Sequence, residues 1–153
     1  MSDQKVLGYL GRALSLELSA VQLYSTQARL VLNWGLDKAA ERLRHEAQEE
    51  AGHAERIIAR MLALGAAPGA SQLRPVKLAQ DLVSLLRINR EFELELVKLY
   101  QQAASYCAGS GNRNDQVFFE ALLAEEQQHA VDMSEWMVSL EQAPAQAATH
   151  AIR

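Results

Sequence analysis

Residues 49–57 read EEAGHAERI and residues 125–133 read EEQQHAVDM; each contains Glu-x-x-His, at Glu50/His53 and Glu126/His129. Residues three apart share one face of an α-helix, so each stretch, once helical, presents a carboxylate and an imidazole side by side. The flanking residues show which face that is. Leu43, Glu46, Glu50, His53, Ile57 and Leu64 recur at helical spacing in the first region. Phe119, Leu122, Glu126, His129, Met133, Trp136 and Leu140 do so in the second. Both sets describe the apolar seam of a bundle helix, and the charged groups stand inside the seam rather than opposite it.

Two further segments carry the same periodicity. One runs through Leu7, Leu10, Leu14, Glu17, Val21, Tyr24, Ala28 and Val31, the other through Val83, Leu86, Glu93, Val97, Tyr100, Ala104 and Cys107. Strand-like alternation is absent. Glycine and proline cluster at 65–75 (GAAPGASQLRP), with Gly35, Gly109, Gly111 and Pro144 as shorter punctuation. These breakers divide the chain into helices near 4–34, 37–64, 79–108 and 113–142. Short turns join the first pair and the last pair, making two antiparallel hairpins. The longer link between the second and third helices can travel much of a bundle's length. The expected fold is all-α, a four-helix bundle with a long crossover between the second and third helices, in one domain spanning 1–153. A short, weakly apolar tail, PAQAATHAIR, follows at 144–153.

Composition narrows the function. The 153 residues are 49% hydrophobic and 22% charged, with a formal net charge of −4, which gives no electrostatic footprint for nucleic acid. No apolar run is long enough for a membrane span, and Arg12 and Glu17 interrupt what would otherwise resemble a signal segment. Cys107 is the only cysteine, so neither an internal disulfide nor a cysteine-based zinc site can form. A reducing, cytoplasmic setting is the expectation.

The four seams share one constellation. Glu17 precedes Glu50 by 33 residues, as Glu93 precedes Glu126, and an offset of 76 carries Glu17, Tyr24, Glu49, Glu50 and His53 onto Glu93, Tyr100, Glu125, Glu126 and His129. With 14 Glu and 4 His in the chain, roughly 0.4 Glu-x-x-His pairs would arise at random. Two occur, in matched register, so the halves are read as a twofold-related pair of hairpins.

Four buried carboxylates repel one another and lose their hydration, a cost removed only by pairing or coordination. No Lys or Arg stands beside them on the seams. Two divalent cations would neutralise four carboxylates, with the imidazoles neutral. An oxygen-rich set with one nitrogen per metal suits iron or manganese better than zinc. Glu50 and Glu126 are assigned as bridges, Glu17 and His53 complete one metal, and Glu93 and His129 the other. Tyr24 and Tyr100 are expected either to donate to the terminal glutamate of the opposite hairpin or simply to fill the core. Glu49 and Glu125 are outer carboxylates or solvated helix charges.

From about Val6 to Trp136 the sequence resembles a bacterioferritin subunit of the ferritin-like di-iron superfamily. The resemblance lies in LSLELSAVQLY around Glu17, NWGL at 33–36, HEAQEEAGHAERI at 45–57, ELEL at 93–96 and LLAEEQQHA at 122–130. All six ligand positions of the family are matched: Glu17, Glu50, His53, Glu93, Glu126 and His129. The resemblance implies a ferroxidase with two Fe per subunit, which oxidises Fe²⁺ with O₂ or peroxide and stores ferric mineral in a shell, a 24-mer. His45 and Glu49 match positions where some members hold an extra iron on the inner surface. Family members ligate haem between two subunits through a Met directly after the second-helix glutamate. That position is Ala51 here, so no haem is expected in a homo-oligomer, although a mixed shell with a haem-binding subunit would remain open to it. Two other readings were weighed against storage. A di-metal oxygenase or peroxidase acting on another substrate would need a pocket beside the metals. A DNA-protecting miniferritin would place its ligands between subunits.

Overall fold

The computed structural model describes residues 3–69 and 71–142. They form α1 (Gln4–Asn33), α2 (Asp37–Ala63), α3 (Leu82–Ser110) and α4 (Arg113–Glu141), and no strand occurs among the described residues. At 1.5 Å per residue each helix is roughly 40–45 Å long. α1 packs on α2, α3 on α4, and α1 on α3. This is the four-helix bundle with a long second-to-third crossover that the loop lengths predict. Residues 143–153, where the bacterioferritin resemblance raises a short fifth helix, lie outside the described residues.

The ends of the helices have local causes. Asp3 caps α1: its Oδ1 accepts from the Lys5 and Val6 amides at 2.8 and 3.4 Å, while its Oδ2 accepts from Tyr106 Oη and Asn112 Nδ2 at 2.7 and 3.0 Å. One side chain thus starts the first helix and fastens it to the turn between α3 and α4. Gly111 closes α3 in the left-handed region, at φ 77°. The Gly/Pro breakers place the third helix from about residue 79, but α3 begins at Leu82. Asp81 is extended (φ −145°, ψ 160°) and accepts the Ser84 amide at 2.8 Å, and that cap sets the start.

The crossover, residues 64–81, is laid along α1. The amides of Gln72 and Arg74 donate to Ser15 Oγ and Ser19 Oγ at 3.1 and 3.0 Å, and Arg74 pairs with Glu95 of α3. These ties hold an extended segment without secondary structure of its own. Apolar burial forms two clusters. One contains Leu10, Leu14, Ile57, Leu96, Phe119 and Leu122, and the other Val31, Leu43, Leu85, Leu86, Met133 and Trp136. On α4 the boundary between them falls between Leu122 and Met133, the stretch that holds Glu126 and His129.

Candidate metal centre

Each helix contributes from mid-length, α1 with Glu17, α2 with Glu50 and His53, α3 with Glu93, and α4 with Glu126 and His129. All four glutamates are 0% exposed, His53 is 3% and His129 6% exposed. Two groups of side chains converge. In one, ligating atoms of Glu17, Glu50, His53 and Glu126 lie within 4.8 Å of one another; in the other, those of Glu50, Glu93, Glu126 and His129 do. Glu50 and Glu126 belong to both.

The imidazoles turn Nδ1 toward this centre. His53 Nδ1 lies 3.1 Å from Glu50 Oε1, 3.2 Å from Glu17 Oε2 and 3.5 Å from Glu126 Oε1. His129 Nδ1 lies 2.9 Å from Glu126 Oε1, 3.4 Å from Glu50 Oε1 and 3.8 Å from Glu93 Oε2. The two rings stack across the bundle at 5.7 Å and 10°. Tyr24 Oη of the first hairpin donates to Glu93 Oε1 of the second, and Tyr100 Oη donates back to Glu17 Oε2, both at 2.7 Å. Each phenol occupies one oxygen of a terminal glutamate; on Glu17 that same oxygen, Oε2, also lies 3.2 Å from His53 Nδ1.

Seven polar atoms of the centre make no well-aligned hydrogen bond, and several of them meet only the close approaches of imidazole and carboxylate within the cluster: Glu17 Oε1, both oxygens of Glu50 and of Glu126, Glu93 Oε2 and His129 Nδ1. Buried groups in this condition are costly and rare. So many together, all oxygen or imidazole nitrogen, fit a pair of divalent cations held mainly by carboxylates.

Without metal, protons perform the neutralisation. Burial and the Glu50 charge push Glu17 up to about 7. Burial and the surrounding carboxylates push Glu93 and Glu126 well above the ordinary range. Burial acts the same way on Glu50, but the two imidazolium rings beside it prevail and hold it at about 2. Burial disfavours charge on the imidazoles. For His53 the nearby Glu17 and Glu50 outweigh that and raise it to about 11; for His129, Glu50 raises it to about 10. Tyr24 and Tyr100 are raised by burial and the adjacent carboxylates, so both stay protonated donors.

Around the centre, Glu125 and Glu49 take different positions. Glu125 Oε1 is 3.0 Å from His53 Nε2, whereas Glu49 Oε1 is 3.6 Å from His129 Nε2. His45 is exposed on the outside of α2, 3.5 Å from Glu49. Ala51 is also exposed. Three features carried no assignment from sequence. Glu46 is buried with an unpartnered Oε2 and forms a further group with Glu49 and His129; its seam position, four before Glu50, was the available signal. Arg56 donates to both oxygens of Glu125, at 3.1 and 2.9 Å; it follows His53 by three on the same face. The buried pair Asn89 Nδ2 to Gln27 Oε1, at 2.6 Å, joins α3 to α1, and no single-helix pattern announces it.

Residues 7–143 match the family model described as a ferritin-like domain. The chain is 38% identical over 138 residues to a bacterioferritin of Rhodobacter capsulatus, covering 90% of this chain and 85% of that one. It is 30% identical over 126 residues to a bacterial ferritin of Synechocystis, covering 82% and 81% respectively. A solved structure of the Rhodobacter capsulatus bacterioferritin, described with a metal-free dinuclear site and a haem iron, superposes with a TM-score of 0.91 at 34% identity, over 95% of this chain and 91% of that one.

Proposed function

The chain belongs to the ferritin-like family, alongside the bacterioferritins, and from that premise we propose that it is an iron-storage ferroxidase working at its own six-residue centre. Fe²⁺ is the substrate, and two ions bound side by side give up one electron each to O₂ or peroxide. Glu50 and Glu126 bridge the pair, Glu17 and His53 hold one ion, and Glu93 and His129 hold the other. One observation carries the reading: two ligand groups share Glu50 and Glu126 and bring together seven buried ligand atoms that lack a well-aligned hydrogen bond.

The residues do the preparatory work. Four carboxylates match the charge of two divalent ions, so occupied and neutral coincide. Loading displaces the protons that Glu17, Glu93, Glu126 and the two imidazoles hold in the metal-free state. Tyr24 and Tyr100 anchor the outer oxygens of Glu93 and Glu17, and the packed bundle limits water at the centre. Cavities of about 930 and 240 Å³ lie beside the crossover, and no ligand residue lines either. That arrangement favours small oxidants over a bulky organic substrate. Ferric product collects within a homo-oligomeric shell, a 24-mer, in the cytoplasm; no helix of the described residues is long and apolar enough to cross a membrane. A shell mixed with a haem-binding subunit is the variant that would supply haem, since Ala51 offers no thioether.

The test is aerobic Fe²⁺ oxidation followed by absorbance. Oxidation far faster than in buffer, with a rapid phase saturating at two Fe²⁺ per chain, is expected. Saturation at one ion, or no acceleration, would refute the assignment.

A further inference from the structure

The offset of 76 that maps one half of the molecule onto the other breaks down next to the imidazoles. Glu49 maps to Glu125, but Arg56 maps to Asp132. The structure translates this into two unlike surroundings. On one side, His53 Nε2 sits at hydrogen-bond distance from Glu125 Oε1, 3.0 Å, and Arg56 grips both oxygens of that carboxylate. On the other, His129 Nε2 stands 3.6 Å from Glu49 Oε1, and the ion pair on Glu49 comes from exposed His45 at 3.5 Å. Asp132, in the place of the arginine, accepts from Gln128 on its own helix at 2.9 Å.

We propose that Arg56 is a positioning residue which, through Glu125, fixes the His53 ring and makes the Glu17–His53 half the tighter of the two metal positions. The inference rests on the two-metal reading above. A carboxylate that accepts from Nε2–H sets the tautomer, leaves the Nδ1 lone pair facing inward and raises its basicity. Glu125 and Arg56 are both about half exposed, with side chains that would otherwise sweep through many rotamers; their mutual grip places the carboxylate before any cation arrives. Buried Glu46 gathers with Glu49 and His129, but Glu49, the nearer carboxylate to Nε2, stands off at 3.6 Å and no arginine grips it. Glu49 must close the gap and be ordered when the second position fills, and that ordering opposes binding.

The test is a Co²⁺ titration of metal-free protein, followed by visible absorption and calorimetry, with helicity checked by circular dichroism. Wild type should bind two Co²⁺ per chain in two resolved steps. Arg56→Ala should weaken the first step by about tenfold, the lower end of the loss known for partners of metal-bound histidines, and leave the second unchanged. The steps then merge. Arg56→Lys should recover part of the loss, and Glu125→Gln should reproduce it with an altered Co²⁺ spectrum. Glu49→Gln should spare the first step. Two equal steps in wild type, or an unchanged first step in Arg56→Ala, overturns the role of Arg56 while leaving the two-metal centre standing. Fewer than two Co²⁺ per wild-type chain overturns the centre itself, and this proposal with it.

Discussion

Glu50 and Glu126 share the bridging assignment, yet the metal-free protein should treat their loss in opposite ways. Glu50 Oε1 lies 3.1 and 3.4 Å from Nδ1 of His53 and of His129, and the two rings outweigh burial on it; Glu126, at 3.5 and 2.9 Å from the same atoms, is governed instead by burial and the other carboxylates. The drop of Glu50 from 4.5 to about 2 corresponds to about 3 kcal/mol of stability at 1.36 kcal/mol per pH unit. A depressed carboxyl contributes stability that is present above its unfolded value and lost as pH falls through the folded one. At pH 7 the contribution is therefore complete. Glu50→Gln keeps the shape and removes the charge, and should lower the melting temperature of chelator-treated protein by roughly 6–12 °C for a domain of this size. Glu126 is pushed the other way, by burial and by the charges of Glu93, Glu17 and Glu50. Glutamine imitates the neutral form it already prefers, so Glu126→Gln should be neutral or stabilising. Thermal unfolding by far-ultraviolet circular dichroism, at fixed protomer concentration because association shifts the midpoint, measures both. Both variants should lose rapid Fe²⁺ oxidation. Equal melting losses in the two variants, or a stabilised Glu50→Gln, would refute this account of the empty centre.

The same charges give the metal-free protein a pH dependence. His53 and His129, raised to about 11 and about 10, contribute stability fully present below their unfolded value and lost as pH rises through those values. The melting temperature should fall between about pH 6.5 and 10, and a rise over that range would contradict the assignment. Tyr24→Phe strands Glu93 Oε1 and should cost about 1–3 kcal/mol in urea unfolding; Tyr100→Phe should cost less, since Glu17 Oε2 keeps His53 Nδ1. Both should slow oxidation, and wild-type rates in both would reduce the phenols to core fillers. Haem reconstitution should give no stoichiometric Soret band with wild-type homo-oligomer, because Ala51 lacks sulfur and Met61 and Met133 are buried in the core. Ala51→Met should create or strengthen the band, and a wild-type band at half a haem per chain would overturn this reading of position 51.

Much of the bundle could be read from one-dimensional periodicity, since a seam of threes and fours is a property of each helix alone. The crossover's length was equally plain. The six centre residues were legible because the chain states them twice, and repetition separates a buried charge from an ordinary solvated one. What stayed hidden depends on contacts between helices. Arg56 looks like any helix-surface arginine until α4 brings Glu125 to it, and Gln27 and Asn89 acquire a meaning only by facing each other across 62 residues of chain. The start of α3 lies three residues after the expected one because the breakers at 65–75 mark only where the loop lies, whereas the cap at Asp81 is a matter of backbone angle.

The exchange of hydrogen bonds between Tyr24 and Glu93, and between Tyr100 and Glu17, belongs with the shared bridges. On the proposed assignment neither hairpin owns a complete coordination set, so a bound cation would close a chelate ring that runs through the crossover. Cutting the crossover would leave two fragments, each with half of the donors and an unneutralised acidic face. Such fragments would reassemble as a function of divalent metal concentration rather than by apolar packing alone. Filling the centre would therefore rivet the two halves together and add the binding free energy of the metal to the stability of the chain.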